Sequence, residues 1–203
     1  MEKFGIYVLE NFLSNEECDE IIDFVKEKHD KDPHKNRNIK VVNKQRTSRY
    51  NSFHTDRTLS DKLWNKLNSR LQDKRFDSVK HFRHTKIRKI FEPCGLSKKL
   101  TIVYYLNGEI PLHKDKFNNM PDKTSLFTIL VYLNDDYNKG RTIFYPNYPK
   151  TNKENEIALQ PKKGRAVLFN INIYHRGEIV DGEKWAIGGK IQFEKSKIPY
   201  YSK

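Results

Sequence analysis

The chain has 203 residues, 36% of them hydrophobic, 12% aromatic and 32% charged, with a formal net charge of +13. Such a length suits one domain that buries roughly 70% of its unfolded surface, and no window approaches the roughly 20 apolar residues of a membrane-spanning helix. Cys18 and Cys94 are too few and too far apart for a disulfide framework, and the opening MEKFGIYVLENFLS lacks the apolar core and small-residue cleavage site of a secretion signal, so a cytoplasmic protein with reduced thiols is expected.

Residues 4–9, FGIYVL, predict a short strand. Ser14 followed by Glu17 forms a capping box that opens a helix. Along it Cys18, Ile21, Ile22 and Val25 share one face, and it ends near His29, before the Asp32, Pro33 break. The segment Lys31 to Tyr50 concentrates positive charge with a single acid, Asp32. It reads either as a solvated loop or as a contact for an acidic substrate or nucleic acid, although it contains no recognisable nucleic-acid module. A second helix is predicted from about Ser60 to Leu71, where Leu63, Trp64, Leu67 and Leu71 form an apolar stripe that suits core packing.

From residue 100 the pattern changes to LTIVYYL, SLFTILVYL, RTIFY, IAL, RAVLFNI and WAIGGKIQF, short runs rich in β-branched and aromatic residues with Asn, Gly, Pro or Lys between them. Crossover helices do not fit between them, so a largely antiparallel sandwich or jelly roll is expected. In the last run Trp185, Ile187, Gly189, Ile191 and Phe193 alternate with Ala186, Gly188, Lys190 and Gln192, so one set points inward. The expected organisation is a single domain over 1–203, mainly β with flanking α-helices. Residues 1–99 form a helical flank and loops, and residues 100–195 a jelly-roll core.

Within that core stands LHKDK, residues 112–116. Residues two apart on a strand share a face, so His113 and Asp115 can converge on one ion while Lys114 points away. Of the seven histidines only His175 also lies in the sheet half, far enough downstream for intervening strands to bring it back. Two imidazoles and one carboxylate leave the opposite coordination positions open, as in mononuclear non-haem iron(II) oxygenases. Three polar residues on a wet strand face give the same pattern, and the spacing alone does not decide. An iron centre that uses 2-oxoglutarate also needs a cation for the distal carboxylate, and Lys184, after the Asp181, Gly182 turn, supplies one.

These motifs resemble the 2-oxoglutarate and iron(II)-dependent dioxygenases, and within them the prolyl 4-hydroxylase-like branch. The likeness runs through YYLNGEIPLHKD, FTILVYLND, KGRTIFYP, LQPKKGRAVLFNI and HRGEIVDGEKW, with ENFLSNEEC and QRTSRYNSF upstream, so it covers nearly the whole chain. It implies a double-stranded β-helix (jelly roll) with His113, Asp115 and His175 as iron ligands and catalytic centre. Lys184 then pairs the distal carboxylate of 2-oxoglutarate, and Tyr104, Tyr132 and Thr142 also hold the cosubstrate. The implied cofactors are Fe(II), 2-oxoglutarate and O2, with ascorbate as an optional reductant, and the implied reaction is hydroxylation of a protein or peptide side chain, proline first.

The departures lie on the substrate side. Ile110 replaces an aromatic residue that helps hold proline, Ser125 replaces an arginine, and Glu178, Ile179 replace a Cys-Pro pair. Arg141 occupies a hairpin position that is usually small or acidic, and is expected to turn preference toward acidic groups. Two further readings remain open. The basic charge suggests a nucleic-acid-directed oxygenase, although the alkylated-base demethylases carry paired arginines where this chain has Lys184 and Lys190. A non-catalytic basic jelly-roll binding module is the other. The loop KFNNMPDKT, residues 116–124, and the basic segment near residue 40 are candidate covers for the site.

Overall fold

A computed structural model describes residues 1–29, 37–42, 45–55, 57–85, 88–116, 123–148 and 156–197. In chain order these form β1 (Ile6–Leu9), α1 (Asn15–His29), β2 (Arg37–Val42), β3 (Gln45–Thr55), α2 (Arg57–Arg70), a one-turn α3 (Asp77–Lys80), β4 (Phe82–His84), β5 (Lys89–Leu96), β6 (Lys99–Leu106), β7 (Ile110–His113), β8 (Thr124–Tyr132), β9 (Asn138–Lys139), β10 (Thr142–Tyr145), β11 (Ile157–Leu159), β12 (Ala166–Asn170), β13 (Tyr174–Gly177), β14 (Val180–Asp181) and β15 (Glu183–Lys195). Among the described residues no helix is long and apolar enough to cross a membrane.

The predicted capping box is present at α1. The Ser14 amide donates to Glu17 Oε2 at 2.9 Å and the Glu17 amide to Ser14 Oγ at 3.2 Å, which satisfies two donors that the first helical turn leaves without partners. Cys18, Ile21, Ile22 and Val25 are buried beneath it, and Leu63, Leu67 and Leu71 beneath α2. Both cysteines are free thiols, and Cys94, which the sequence pattern does not place, lies half-buried in β5.

Among the described residues every sheet pairing is antiparallel. The major sheet runs β1-β12-β8-β15-β6-β3-β2, with β5 also on β15 and β4 on β5. The minor sheet runs β11-β10-β13-β7, and β14 pairs β9 separately. The sheets face one another across a core of Ile6, Tyr132, Phe144, Leu159, Val167, Phe169 and Ile173. The helices cover the other face of the major sheet, where Ile129, Val131, Leu168, Ile187, Ile191 and Phe193 meet residues of α1 and α2. A strand covered on both faces has no polar alternation, which is why β12 reads as the unbroken apolar run AVLF.

The first 99 residues contribute more than a helical flank and loops. β1 pairs β12, β3 pairs β6 and β5 pairs β15, so the major sheet is completed by strands from the N-terminal half. The short polar and basic runs there obscure a strand signal that is clear after residue 100. Two strands, β2 and β3, take up much of the basic segment read as a loop or contact surface. Its side chains, and residues 117–122 of the candidate cover, lie outside the described residues.

Candidate active site

β15 positions one wall of the site. On the face turned away from the helices Lys184, Ala186, Gly188 and Lys190 follow one another, and all four line a cavity of about 170 Å³. Thr101, Val103 and Tyr105 line it from β6, Thr128 and Leu130 from β8, and His113, Asp115, Thr142, Phe169 and His175 from the remaining walls. Small residues at 186 and 188 leave the middle of that wall open, with a lysine toward each end.

His113 on β7 and His175 on β13 are directly opposed in the antiparallel register, with ring centroids 4.3 Å apart. Asp115 follows just beyond the end of β7. Ligand atoms of the three side chains lie within 4.8 Å of one another, the scale of a single coordination sphere. Both histidines are turned the same way. Nδ1 of His113 bonds the Pro111 carbonyl at 2.9 Å and Nδ1 of His175 bonds the Ile173 carbonyl at 3.1 Å. A carbonyl only accepts, so Nδ1 carries a proton in each ring, which leaves Nε2 as the nitrogen that can serve a metal. Burial, then the neighbouring His113, push the His175 pKa down to about 4, so that imidazole is neutral at physiological pH, as a ligand must be.

Asp115 presents two different oxygens. Oδ1 lies 3.9 Å from His113 Nε2, while Oδ2 accepts from Thr128 Oγ1 at 2.5 Å and pairs with Lys190 Nζ at 2.6 Å. Burial favours its neutral form, but the Lys190 charge and hydrogen bonds from Lys190 and Thr128 together hold the carboxyl below its ordinary range. Lys114 points away from the cluster, its ammonium 4.5 Å from the Tyr174 ring centroid.

Lys184 is 4% exposed. Its ammonium donates to the Gly140 carbonyl at 2.6 Å and stands 5.3 Å from the centre of the Tyr132 ring, and burial pushes its pKa down to about 8. The Tyr132 hydroxyl donates to Thr142 Oγ1 at 2.7 Å, so three of the residues expected to hold the cosubstrate form one buried group.

Tyr104 is placed elsewhere. It stacks on Trp185 with ring centroids 4.5 Å apart, its hydroxyl donates to Glu183 Oε1 at 3.1 Å, and it packs against the core under the helices. Its neighbour Tyr105 lines the cavity and pairs in register with Lys184. Counting back from His113 selects Tyr104, whereas strand parity, with Thr101, Val103 and Tyr105 on one face, selects Tyr105.

Two of the departures satisfy each other. Arg141 Nε and Nη2 each donate to the Glu178 carboxylate at 2.8 Å, a two-pronged pair across the start of β10 and the end of β13. Arg141 is therefore engaged within the chain and is not a free receptor for acidic substrates. Ile110 lines the cavity and Ser125 is buried in β8.

The family model of the 2OG-Fe(II) oxygenase superfamily matches residues 100–191. No curated protein sequence matches the chain. Among solved structures, the viral collagen prolyl hydroxylase of Paramecium Bursaria Chlorella virus-1, in complex with 2-oxoglutarate, superposes with a TM-score of 0.57 at 20% identity over 93% of this chain and 95% of that one. A prolyl hydroxylase from Trichoplax adhaerens, in complex with a hypoxia inducible factor peptide fragment, gives 0.60 at 18% over 92% and 83%. A Pseudomonas putida prolyl-4-hydroxylase gives 0.56 at 13% over 95% and 93%. At these identities the structural likeness establishes the jelly-roll fold, while the matched segment contains the His113, Asp115, His175 cluster, Tyr132, Thr142 and Lys184. Residues 100–191 thus match the 2OG-Fe(II) oxygenase superfamily on a jelly-roll fold shared with prolyl hydroxylases, and the His113, Asp115, His175 cluster within them fits the Fe(II) that, with 2-oxoglutarate and O2, the match implies.

Proposed function

We propose that the chain hydroxylates a side chain of a protein or peptide, with a prolyl residue as the first candidate, and that His113, Asp115 and His175 hold the iron for this reaction. The observation that carries the reading is the meeting of these three side chains at one part of a cavity in which Lys184 offers a buried ammonium. When bound, iron(II) with 2-oxoglutarate would supply oxidation of a C–H bond to C–OH by O2, whose second oxygen atom enters the succinate formed as the cosubstrate loses CO2. The Nε2 atoms of both histidines and Oδ1 of Asp115 serve as donors, each held from behind by a hydrogen bond. Lys184 pairs with the distal carboxylate of 2-oxoglutarate, and the Tyr132–Thr142 pair together with Tyr105 fixes its orientation. Leu130, Phe169 and Val103 keep water away from the reacting atoms.

The peptide assignment draws on the Trichoplax neighbour, which was solved with a peptide fragment. Ile110, which lines the cavity, would offer the target residue an aliphatic contact in place of an aromatic one. A cytoplasmic setting agrees with two free thiols. The test is incubation with Fe(II), 2-oxoglutarate and ascorbate against a peptide library with and without proline. Succinate formation is followed, and products are located by fragmentation mass spectrometry. Succinate stimulated by proline-containing peptides, with one oxygen added at proline and no turnover in Asp115→Ala, is expected. Stimulation by oligonucleotides alone would transfer the activity to nucleic acid, the reading the +13 charge favours. Absence of any metal-dependent turnover of 2-oxoglutarate would leave a binding module.

A further inference from the structure

The lysine at the far end of the β15 wall has no part in the reaction derived above, yet it makes the closest charged contact of the whole centre. Lys190 lies directly opposite Thr128 in the β15–β8 register. Its Nζ sits 2.6 Å from Asp115 Oδ2 and donates to Thr128 Oγ1 at 2.9 Å, while the same hydroxyl donates to Asp115 Oδ2 at 2.5 Å. The three side chains close a small ring around one carboxylate oxygen, and the Lys190 and Asp115 side chains are each only 19% exposed. A carboxylate so far removed from water needs a counter-charge. Among the described residues the Lys190 ammonium, at 2.6 Å, is the nearest cationic group to it.

We propose, building on the assignment of the metal centre, that Lys190 is a positioning residue and internal counter-ion for Asp115. Together with Thr128 it holds Oδ2, so that Asp115 turns Oδ1 alone toward the imidazoles. It also balances the carboxylate in the metal-free protein, and therefore competes with the metal for it. Its positive charge lowers the metal affinity of the centre below what the same three ligands would have beside a neutral side chain. The contrast with the histidines is one of charge. Their outer nitrogens are held by neutral carbonyls, whereas the outer oxygen of the carboxylate is held by an ammonium. A cation within one side chain's length of a divalent ion repels it, in a pocket too dry for water to screen the repulsion fully.

The experiment strips the full chain of metal and titrates it with Mn(II) alone, following free Mn(II) by electron paramagnetic resonance, in the parent, Lys190→Met and Lys190→Arg. Thermal unfolding of each metal-free protein is measured alongside. Lys190→Met is expected to bind Mn(II) about tenfold tighter, and its metal-free form to melt several degrees lower, because Asp115 is left buried without a partner. Mn(II) then restores most of that loss. Lys190→Arg, which keeps the charge, should stay within about twofold of the parent in affinity. If Lys190→Met does not fold without metal, Lys190→Gln replaces it, since an amide can still donate to Oδ2 but carries no charge. A neutral variant that binds Mn(II) no tighter than the parent overturns the proposal while leaving the metal centre intact. A parent that binds no Mn(II) at all overturns the metal centre as well, so the two failures are distinguishable.

Discussion

Lys184 keeps an ammonium where almost no water reaches it, and that has a measurable cost. Its pKa is near 8 in the folded chain against 10.5 in the open one, so between those values the unfolded chain binds more protons and stability rises with pH. The penalty is complete below about pH 8 and gone above about 10.5, and corresponds to about 3 kcal/mol. Lys184→Met should therefore be more stable than the parent at pH 7 and lose that advantage at pH 10, which urea unfolding at the two pH values would reveal. An equal difference at both would mean that the ammonium is not the strained group. In the proposed role, where the ammonium pairs with the distal carboxylate of 2-oxoglutarate, the sign reverses with cosubstrate: the KM for 2-oxoglutarate should climb as pH passes 8 in the parent. The two tyrosines of YYL supply a second residue-scale prediction. Tyr105→Phe should raise the KM for 2-oxoglutarate severalfold while Tyr104→Phe leaves it unchanged, and the opposite ranking would return the role to Tyr104. The meeting of His113, Asp115 and His175 could be anticipated because histidine is scarce in the sheet half, although spacing alone did not separate it from a polar strand face. The choice between adjacent tyrosines was not, because it depends on how many residues the turn at Asn107 and Gly108 takes up before β7. Nor was the Arg141–Glu178 pair, since each residue looks like an isolated departure until strand pairing brings them together.

At the scale of elements, the strands after residue 100 and both main helices could be read from alternation and from the capping box. Of the N-terminal strands β1 could be read in FGIYVL, whereas β2 to β5 could not, because their pairing partners lie far along the chain or in equally polar runs. The hairpin residues 160–165 show what such long-range joins do for the site. Gly164 takes a left-handed backbone, φ +76°, and its carbonyl accepts from the amides of Phe12 and Leu13, just before α1. Its own amide donates to the Tyr132 carbonyl at 2.9 Å, while the Tyr132 amide donates to the Arg165 carbonyl at 3.0 Å. The backbone of a site tyrosine is thus pinned from both sides by the turn that also seats α1. A Cβ on residue 164 would fall 2.2 Å from the Leu13 carbonyl oxygen, so the turn cannot accept one without moving. Gly164→Ala should lose about 3 kcal/mol or more, lowering Tm by about 6–12 °C. It should also weaken 2-oxoglutarate binding, although residue 164 touches no ligand. An alanine variant with the parent's Tm would show that the turn relaxes freely.

For the whole molecule the question is whether the matched segment, residues 100–191, is a folding unit or the better-marked half of one. It carries every side chain assigned to the metal and the cosubstrate, and sequence patterning draws a boundary at its start. The packing crosses that boundary in two ways. The apolar face of the major sheet, including Ile129, Ile187, Ile191 and Phe193, is buried in one cluster with Ile21, Val25, Leu63 and Leu67 of the two helices. The outer edges of β12 and β6 are closed by β1 and β3, and the far end of β15 by β5. Removing residues 1–99 would expose those side chains to water at about 25 cal/mol per Å² of apolar surface, and would leave unpaired strand edges that recruit other chains. A fragment of residues 100–203 should therefore aggregate or lack the near-ultraviolet circular dichroism of packed aromatic residues, despite holding all three metal-ligand candidates. Size-exclusion chromatography and a Mn(II) titration of the fragment decide the matter. A monomeric fragment that binds the metal as the full chain does would divide the molecule into two independent units, with the helices reduced to a dispensable cover. Loss of binding together with loss of the fold places the support for the His113–His175 register in the N-terminal half, which holds that pair opposed by backing the sheet against which β7 and β13 pack.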